Sequence, residues 1–365
     1  MRKETVRKEI ETNLSQKVAS DPKLHNVYLL VHSDKLDIHW PMAAGDTDGF
    51  PADPRQAYHT ASIGKAFTSV ILAKLVEQGF VRFEDPIANY LPPSILKDLH
   101  THKGKNYVPE IQIKHLVSNT SGLPDYYEDK PRGGQAGFMD EALANPSRFW
   151  TAEETIAWST EHLQPRFPPG KGLHYSDTGF NLLGLIIERV TSKAYHEVLH
   201  DYIFTPLEMN HSYLSHYSNP AVDNGLPVAN LHLNDLKIKL EDYRCFSSFY
   251  AGGQTVSTSE DLLTFLKALV NYRIVRKETL DTMLQWNKMW LGMDYGYGLM
   301  RLHFIPFTRK YIGWGHLGAS GAAMLYFPNY DVYIMGSFNQ TAYRSKGMNY
   351  IFFNVLRKLE KHVRS

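Results

Sequence analysis

A single cysteine, Cys245, stands among 365 residues. No disulfide can close within the chain, and the composition fits a reducing compartment. No apolar run approaches the roughly 18 residues that cross a bilayer as a helix. Neither sign of charge is in excess, with 39 basic against 38 acidic residues. That balance removes the long-range attraction that draws proteins to nucleic acid or to anionic membranes. The opening segment, Met1-Arg2-Lys3-Glu4-Thr5-Val6-Arg7-Lys8-Glu9-Ile10, is charged where a secretory signal needs an apolar centre, and it reads as an amphipathic helix. With the lone cysteine it makes a cytoplasmic location the expectation, although a trimmed export signal would leave the same residues. There is no H-E-x-x-H, no cysteine pair and no G-x-x-x-x-G-K-[ST], and His211 and His216 have no acidic or thiol companion. No metal or cofactor is expected. The expected partner is a small-molecule substrate, with the oligomeric state left open.

What the chain does contain is apolar bulk, at 43% hydrophobic and 13% aromatic residues, enough for a large core and more than one domain of usual size. Residues 27–32 and 36–42 read as a hairpin turning at Ser33-Asp34. A helix from Ile63 carries Phe67, Val70, Ile71, Leu75 and Val76 on one side, and Gly79 offers it a left-handed cap. From about 80 to 245 the chain reads as helices broken by Pro and Gly clusters such as Phe167-Pro168-Pro169-Gly170. Then come short β-rich runs at 297–303, 310–314, 322–327 and 332–338, with Pro328-Asn329-Tyr330-Asp331 as the clearest turn. A helix from Met348 to about 361 follows. Strands at both ends and helices between predict an α+β fold. One antiparallel sheet, flanked by the N- and C-terminal helices, is joined to an all-helical domain. The expected division assigns 1–65 and 246–365 to the sheet domain and 66–245 to the helical one, with the site in the cleft between them.

Three short motifs carry chemistry. Ser62-Ile63-Gly64-Lys65 heads the apolar helix, and a serine and lysine three apart lie about 60° apart around it. An amine beside a hydroxyl can help activate it as a nucleophile, although a plain N-cap serine would read the same way. Tyr175-Ser176-Asp177 follows a Pro/Gly-rich turn and precedes an apolar helix. A tyrosine beside a lysine ionises more easily and can act as a base; alternatively Tyr175 is core and Asp177 caps the helix. Gly313-Trp314-Gly315-His316-Leu317-Gly318-Ala319-Ser320-Gly321 packs glycines into a strand, a mark of close backbone approach. Its G-x-G-x-x-G is not a dinucleotide fingerprint, because a strand rather than a helix follows. Gly318-Ala319-Ser320-Gly321-Ala322 lacks the last glycine of a nucleophile elbow.

Taken in order, S-x-x-K, Y-x-[ND] and [KH]-x-G resemble the serine β-lactamase and penicillin-binding-protein superfamily. The likeness is greatest to its class C branch, with its esterases, D-aminopeptidases and D-alanyl-D-alanine carboxypeptidases. Ile113-Lys114-His115-Leu116-Val117-Ser118-Asn119-Thr120-Ser121-Gly122-Leu123-Pro124-Asp125-Tyr126 and Ala251-Gly252-Gly253 are similar to further segments of that superfamily. The resemblance implies an acylated nucleophile at Ser62, with Lys65 as its proton partner. It makes Tyr175 the base that also protonates the leaving group, and places His316 where many relatives carry lysine. The backbone N–H groups of Ser62 and Ala319 become the oxyanion hole. Asp177 and Gly318 belong to the substrate site. Tyr126, Tyr127, Tyr250 and Trp314, close to the matched motifs, read either as pocket walls or as core, where aromatics are common. Asp177 departs from the usual asparagine, since an ionised aspartate cannot donate a hydrogen bond. The expected substrate is a small carboxylic ester or a D-amino-acid amide or peptide, with weak turnover of β-lactams. An acyltransferase using the same intermediate, and a penicillin sensor that is acylated without turnover, are the alternatives. Substrate choice is expected to lie in the loops, mainly 126–150 and 215–250.

Overall fold

The structure is a computed structural model and describes residues 2–304 and 309–363. Its frame is a nine-stranded antiparallel sheet. Asn26–Ser33 lies inside the sheet, paired on one side with Ile38–Thr47 and on the other with Val332–Ser337. The sheet continues outward from Val332–Ser337 through Ala323–Phe327, Gly313–Leu317, Met300–Leu302, Met293–Tyr295 and Asn287–Trp290. The two ends of the sequence thus meet in one sheet, with Tyr28 opposite Ser337 and Leu30 opposite Met335.

Because both faces of the sheet are covered, its inner strand reads as an almost unbroken apolar run rather than an alternating one. Val27, Leu29 and Val31 pack beneath the N-terminal helix Arg2–Ser20, through its Val6, Ile10 and Leu14. The C-terminal helical segments, through Ile351, Phe352 and Val355, close the same face. Tyr28 and Leu30 point the other way, into the core shared with the helices Gly64–Glu77 and Ser259–Val270. A third, aromatic cluster gathers Tyr126, Phe138, Trp150, Trp158 and Phe246.

The N-terminal helix is longer than its first charged residues suggest, and the hairpin turns over residues 34–37. The strand expected at 310–314 lies at Gly313–Leu317, and the one expected at 297–303 is confined to Met300–Leu302. The edge strand Asn287–Trp290 and its neighbour Met293–Tyr295 had no counterpart in the sequence reading. Asn287-Lys288-Met289-Trp290 runs two polar residues then two apolar ones rather than alternating, and a register shift between Lys288 and Trp290 interrupts its pairing. Among the described residues, no helix is long and apolar enough to cross a membrane.

Candidate active site

Ser62 sits in a single tight turn, Ala61–Ile63, at the head of the buried helix Gly64–Glu77. The strand Tyr58–His59 before it is paired with Thr255–Ser257, and the Thr60 N–H donates to the Thr255 carbonyl at 2.9 Å. Ala61 adopts φ +48°, a left-handed conformation unfavourable to a side chain. It is held there by close neighbours that only glycine permits. A Cβ on Gly318 would lie 2.8 Å from the Thr60 carbonyl oxygen and 2.9 Å from the Ala61 Cβ. A Cβ on Gly253 would meet the Ala61 carbonyl carbon at 3.2 Å. Gly318 and Gly253 therefore let two backbone segments close on the serine turn.

Lys65 is completely buried. Its ammonium donates to Ser62 Oγ at 3.2 Å, to the Gly252 carbonyl at 2.7 Å and to the Asp177 carboxylate. These three acceptors match the three N–H donors of an ammonium. The faces of Tyr175 and Phe180 flank it, with ring centroids 4.8 and 5.3 Å from Nζ. Gly252 has no side chain because a Cβ there would lie 2.6 Å from Asp177 Oδ1. Ser176, not Asp177, caps the helix Asp177–Thr191, its Oγ accepting from the Gly179 N–H at 3.2 Å. Asp177 is left free to turn its carboxylate to Lys65.

Behind Asp177 lies a second buried carboxylate, Asp125, which the sequence reading quoted within a motif without giving it a role. Its Oδ1 accepts from the Asp177 N–H at 3.0 Å and the Tyr127 N–H at 3.2 Å. Burial, and then the Asp177 charge, hold the Asp125 carboxyl well above its ordinary range. Tyr175 is pushed up in the same way. The sequence suggested that the neighbouring lysine would ease its ionisation, but burial and the Asp177 charge dominate, and the hydrogen bond to Ser62 offsets them only in part. Tyr175 rests as a neutral phenol.

His316 is fully buried. Its Nδ1–H donates to the Leu317 carbonyl at 2.8 Å, and its Nε2 faces the Tyr295 hydroxyl at 3.4 Å. Burial first, then Lys65, lower its pKa to about 3, so the ring is neutral. Tyr295 stands edge-on to both His316 and Tyr175. The structure thus places His316 behind Tyr295 and away from the cleft wall.

The cleft has two lobes that share Ser62, Tyr127, Asp177 and Ala319. The first is walled by Met139, Leu231, Leu233, Phe246 and Phe249. The second runs past Tyr175, Gly318 and Leu317 to an ion pair between Arg344 and Glu128. Of the aromatic residues read as wall or core, only Tyr127 reaches the cleft. Tyr126 is buried with its hydroxyl on the Ser248 carbonyl at 2.7 Å, Trp314 packs edge-on to Tyr326, and Tyr250 lies against Tyr195 and Tyr217. Phe246 and Phe249 escaped the sequence reading, although they fall in the 215–250 window expected to govern substrate choice.

A lysine buried against a serine in a cleft between a sheet and helices is the arrangement of a serine hydrolase. The Beta-lactamase family model matches residues 27–350, and the chain belongs to that family. Penicillin-binding protein 4 of Amycolatopsis lactamdurans is 25% identical over 289 residues, covering 74% of this chain and 68% of that one. Penicillin-binding protein 4* of Bacillus subtilis is 28% identical over 266 residues, covering 69% of this chain and only 54% of its own length. Among solved structures, D-amino acid amidase from Ochrobactrum anthropi SV3, complexed with D-phenylalanine, superposes with a TM-score of 0.79. It is 22% identical, and the match covers 98% of this chain and 99% of the amidase.

Proposed function

We propose that this chain hydrolyses a small carboxylic ester or a D-amino-acid amide through an acyl-enzyme on Ser62. The observation that carries the proposal is the Lys65 ammonium directed at Ser62 Oγ from a completely buried position. Ser62 Oγ attacks the substrate carbonyl as the Lys65 N–H stabilises the charge growing on that oxygen. The Ser62 proton passes to Tyr175 Oη while Tyr175 gives its own proton to the departing oxygen or nitrogen. In this relay the serine ester bond forms, the bond to the leaving group breaks, and no free phenolate stands beside Asp177. Water then repeats the steps in reverse and releases the acid. The Ser62 and Ala319 N–H groups are the proposed oxyanion hole, where one donor is typically worth about 3 kcal/mol of barrier.

The substrate class is supported by three features: the apolar first lobe, the anionic Asp177 in place of an amide donor, and the D-amino acid amidase as a structural neighbour. An anionic aspartate in place of an asparagine donor disfavours the carboxylate of a β-lactam. Hydrolysis of p-nitrophenyl butyrate by wild type and by Ser62→Ala, with intact mass followed during turnover, tests the reading. Activity lost in the variant, with one butyryl group carried on the wild type, is the expected result. An active Ser62→Ala protein would overturn it.

A further inference from the structure

The two lobes of the cleft meet at Ser62 and Ala319, where the reacting carbonyl would lie, so the groups on either side of that carbonyl divide between them. Tyr175 lines the second lobe and not the first. It is the proposed proton donor to the leaving group, which puts the leaving group in the second lobe and the acyl group in the first. The walls of the second lobe are largely apolar. Met289, Met293, Met300 and Met348 line it with Phe304, and these are four of the chain's 11 methionines. Methionine side chains are unbranched and polarizable, and they shape themselves to apolar guests of more than one outline. The turn between Asn287–Trp290 and Met293–Tyr295 brings Trp290 and Leu291 to the same lobe, 52% and 94% exposed. That turn is fixed in place. The His303 N–H donates to the Gly292 carbonyl at 2.8 Å, and Gly292, at φ +82°, leaves room for the Phe304 ring, which a Cβ would meet at 2.7 Å. Large apolar side chains side by side in water mark a surface that something apolar covers. The charged side chains of the lobe already have partners, Glu128 with Arg344 and Asp177 with Lys65.

We infer that the second lobe receives an uncharged, apolar leaving group, so that the substrate is an ester of an apolar alcohol or an amide of an apolar amine, with Trp290 and Leu291 covering that group. The inference rests on the proposed acylation of Ser62 and on Tyr175 as the proton donor, and it chooses within that reading. A primary amide would release ammonia and leave the apolar walls facing water. A peptide ending in a carboxylate would find no free positive charge: among the described residues that line the lobe, the single cation, Arg344, is already paired with Glu128. An apolar group instead removes the methionine walls, Trp290 and Leu291 from water, and that burial is the driving force for its binding.

The test compares methyl butyrate with benzyl butyrate, which share an acyl group and release alcohols of nearly equal acidity. In wild type the benzyl ester is expected to have about thirtyfold higher kcat/KM. In the double variant Trp290→Ser, Leu291→Ser that ratio is expected to fall about tenfold. Both side chains are exposed, so the variant takes nothing from the core, and a general weakening of the enzyme would lower both esters together. A wild-type ratio of one or below, or a ratio that survives the double variant, would overturn the inference. So would a variant that instead lowers the ratio of methyl hexanoate to methyl butyrate, because the lobes would then be assigned the wrong way round. Should neither ester be hydrolysed nor acylate Ser62, the proposed reaction has failed rather than the lobe's preference. Titration of Ser62→Ala with N-benzylbutanamide and N-methylbutanamide then reads the preference without chemistry. Tighter binding of the benzyl amide, lost when Trp290→Ser and Leu291→Ser are added, supports it, and equal or weaker binding overturns it.

Discussion

At the scale of single residues, Asp177 distinguishes this site from one carrying asparagine. Its carboxylate pairs with Lys65 and raises Tyr175 through unfavourable charge. Asp177→Asn removes both effects and restores an amide that can donate to a substrate. The ratio of nitrocefin to p-nitrophenyl butyrate turnover is expected to rise about tenfold in this variant, the worth of one hydrogen bond to a charged group. An unchanged ratio would show that Asp177 does not set selectivity. Residue types were legible here wherever the chemistry is local. Ser62, Lys65, Tyr175 and Asp177 stood out by spacing and order, and the structure brings all four together. Asp125 did not stand out, because nothing in its own surroundings reveals that the fold buries it against Asp177. Tyr126 and Tyr127 are adjacent and chemically alike, and only the direction of the chain at that point sends the second into the cleft and the first into the aromatic core.

At the scale of elements, the late strand Gly313–Leu317 shows why a glycine-dense strand is tolerated. A Cβ on Gly315 would fall 1.9 Å from the Met324 carbonyl oxygen of the paired strand. Gly315→Ala must therefore push apart the strand that leads into Gly318 and Ala319, and a destabilisation of about 2–3 kcal/mol is expected. Gly49→Ala is the control: it has φ +83° and nothing within 4 Å, so backbone strain alone should cost about 1 kcal/mol. Urea midpoints for the two variants decide the matter, and equal losses would contradict the packing account. The strands formed by 323–327 and 332–337 were legible because apolar residues and a Pro-Asn-Tyr-Asp turn agree on where they begin and end. The Asn287–Trp290 strand was not, since its charged and amide side chains lie at a sheet edge and only pairing with Met293–Tyr295 defines it.

At the scale of the whole molecule, buried neutral histidines tie stability to pH. His59 and His232 are lowered to about 4 and His316 to about 3, each mainly by burial. The unfolded chain takes up these protons near pH 6.5, whereas the folded chain resists until about pH 4 or 3. Between those limits the unfolded state binds more protons, so stability falls as pH falls, by about 1.4 kcal/mol per unit for each ring. Asp125 and Asp261, both raised by burial, act in the opposite sense, but they are two groups against three. The urea midpoint is expected to drop between pH 7 and pH 5, and His316→Gln should flatten that slope. A midpoint that does not move over this range would refute the linkage.

The sheet that unites both ends of the sequence also sets a schedule for biosynthesis. The strand Asn26–Ser33 leaves the ribosome long before its neighbour Val332–Ser337. At ordinary rates of translation the wait is on the order of tens of seconds. Throughout it, one edge of the early hairpin has no strand to pair with and is open to association with other nascent chains. The N- and C-terminal helices lie side by side in the finished protein, joined by the Lys358–Glu9 ion pair. A circular permutant that links them and opens the chain in a surface loop would deliver the strands of the sheet as one continuous stretch and shorten that exposure.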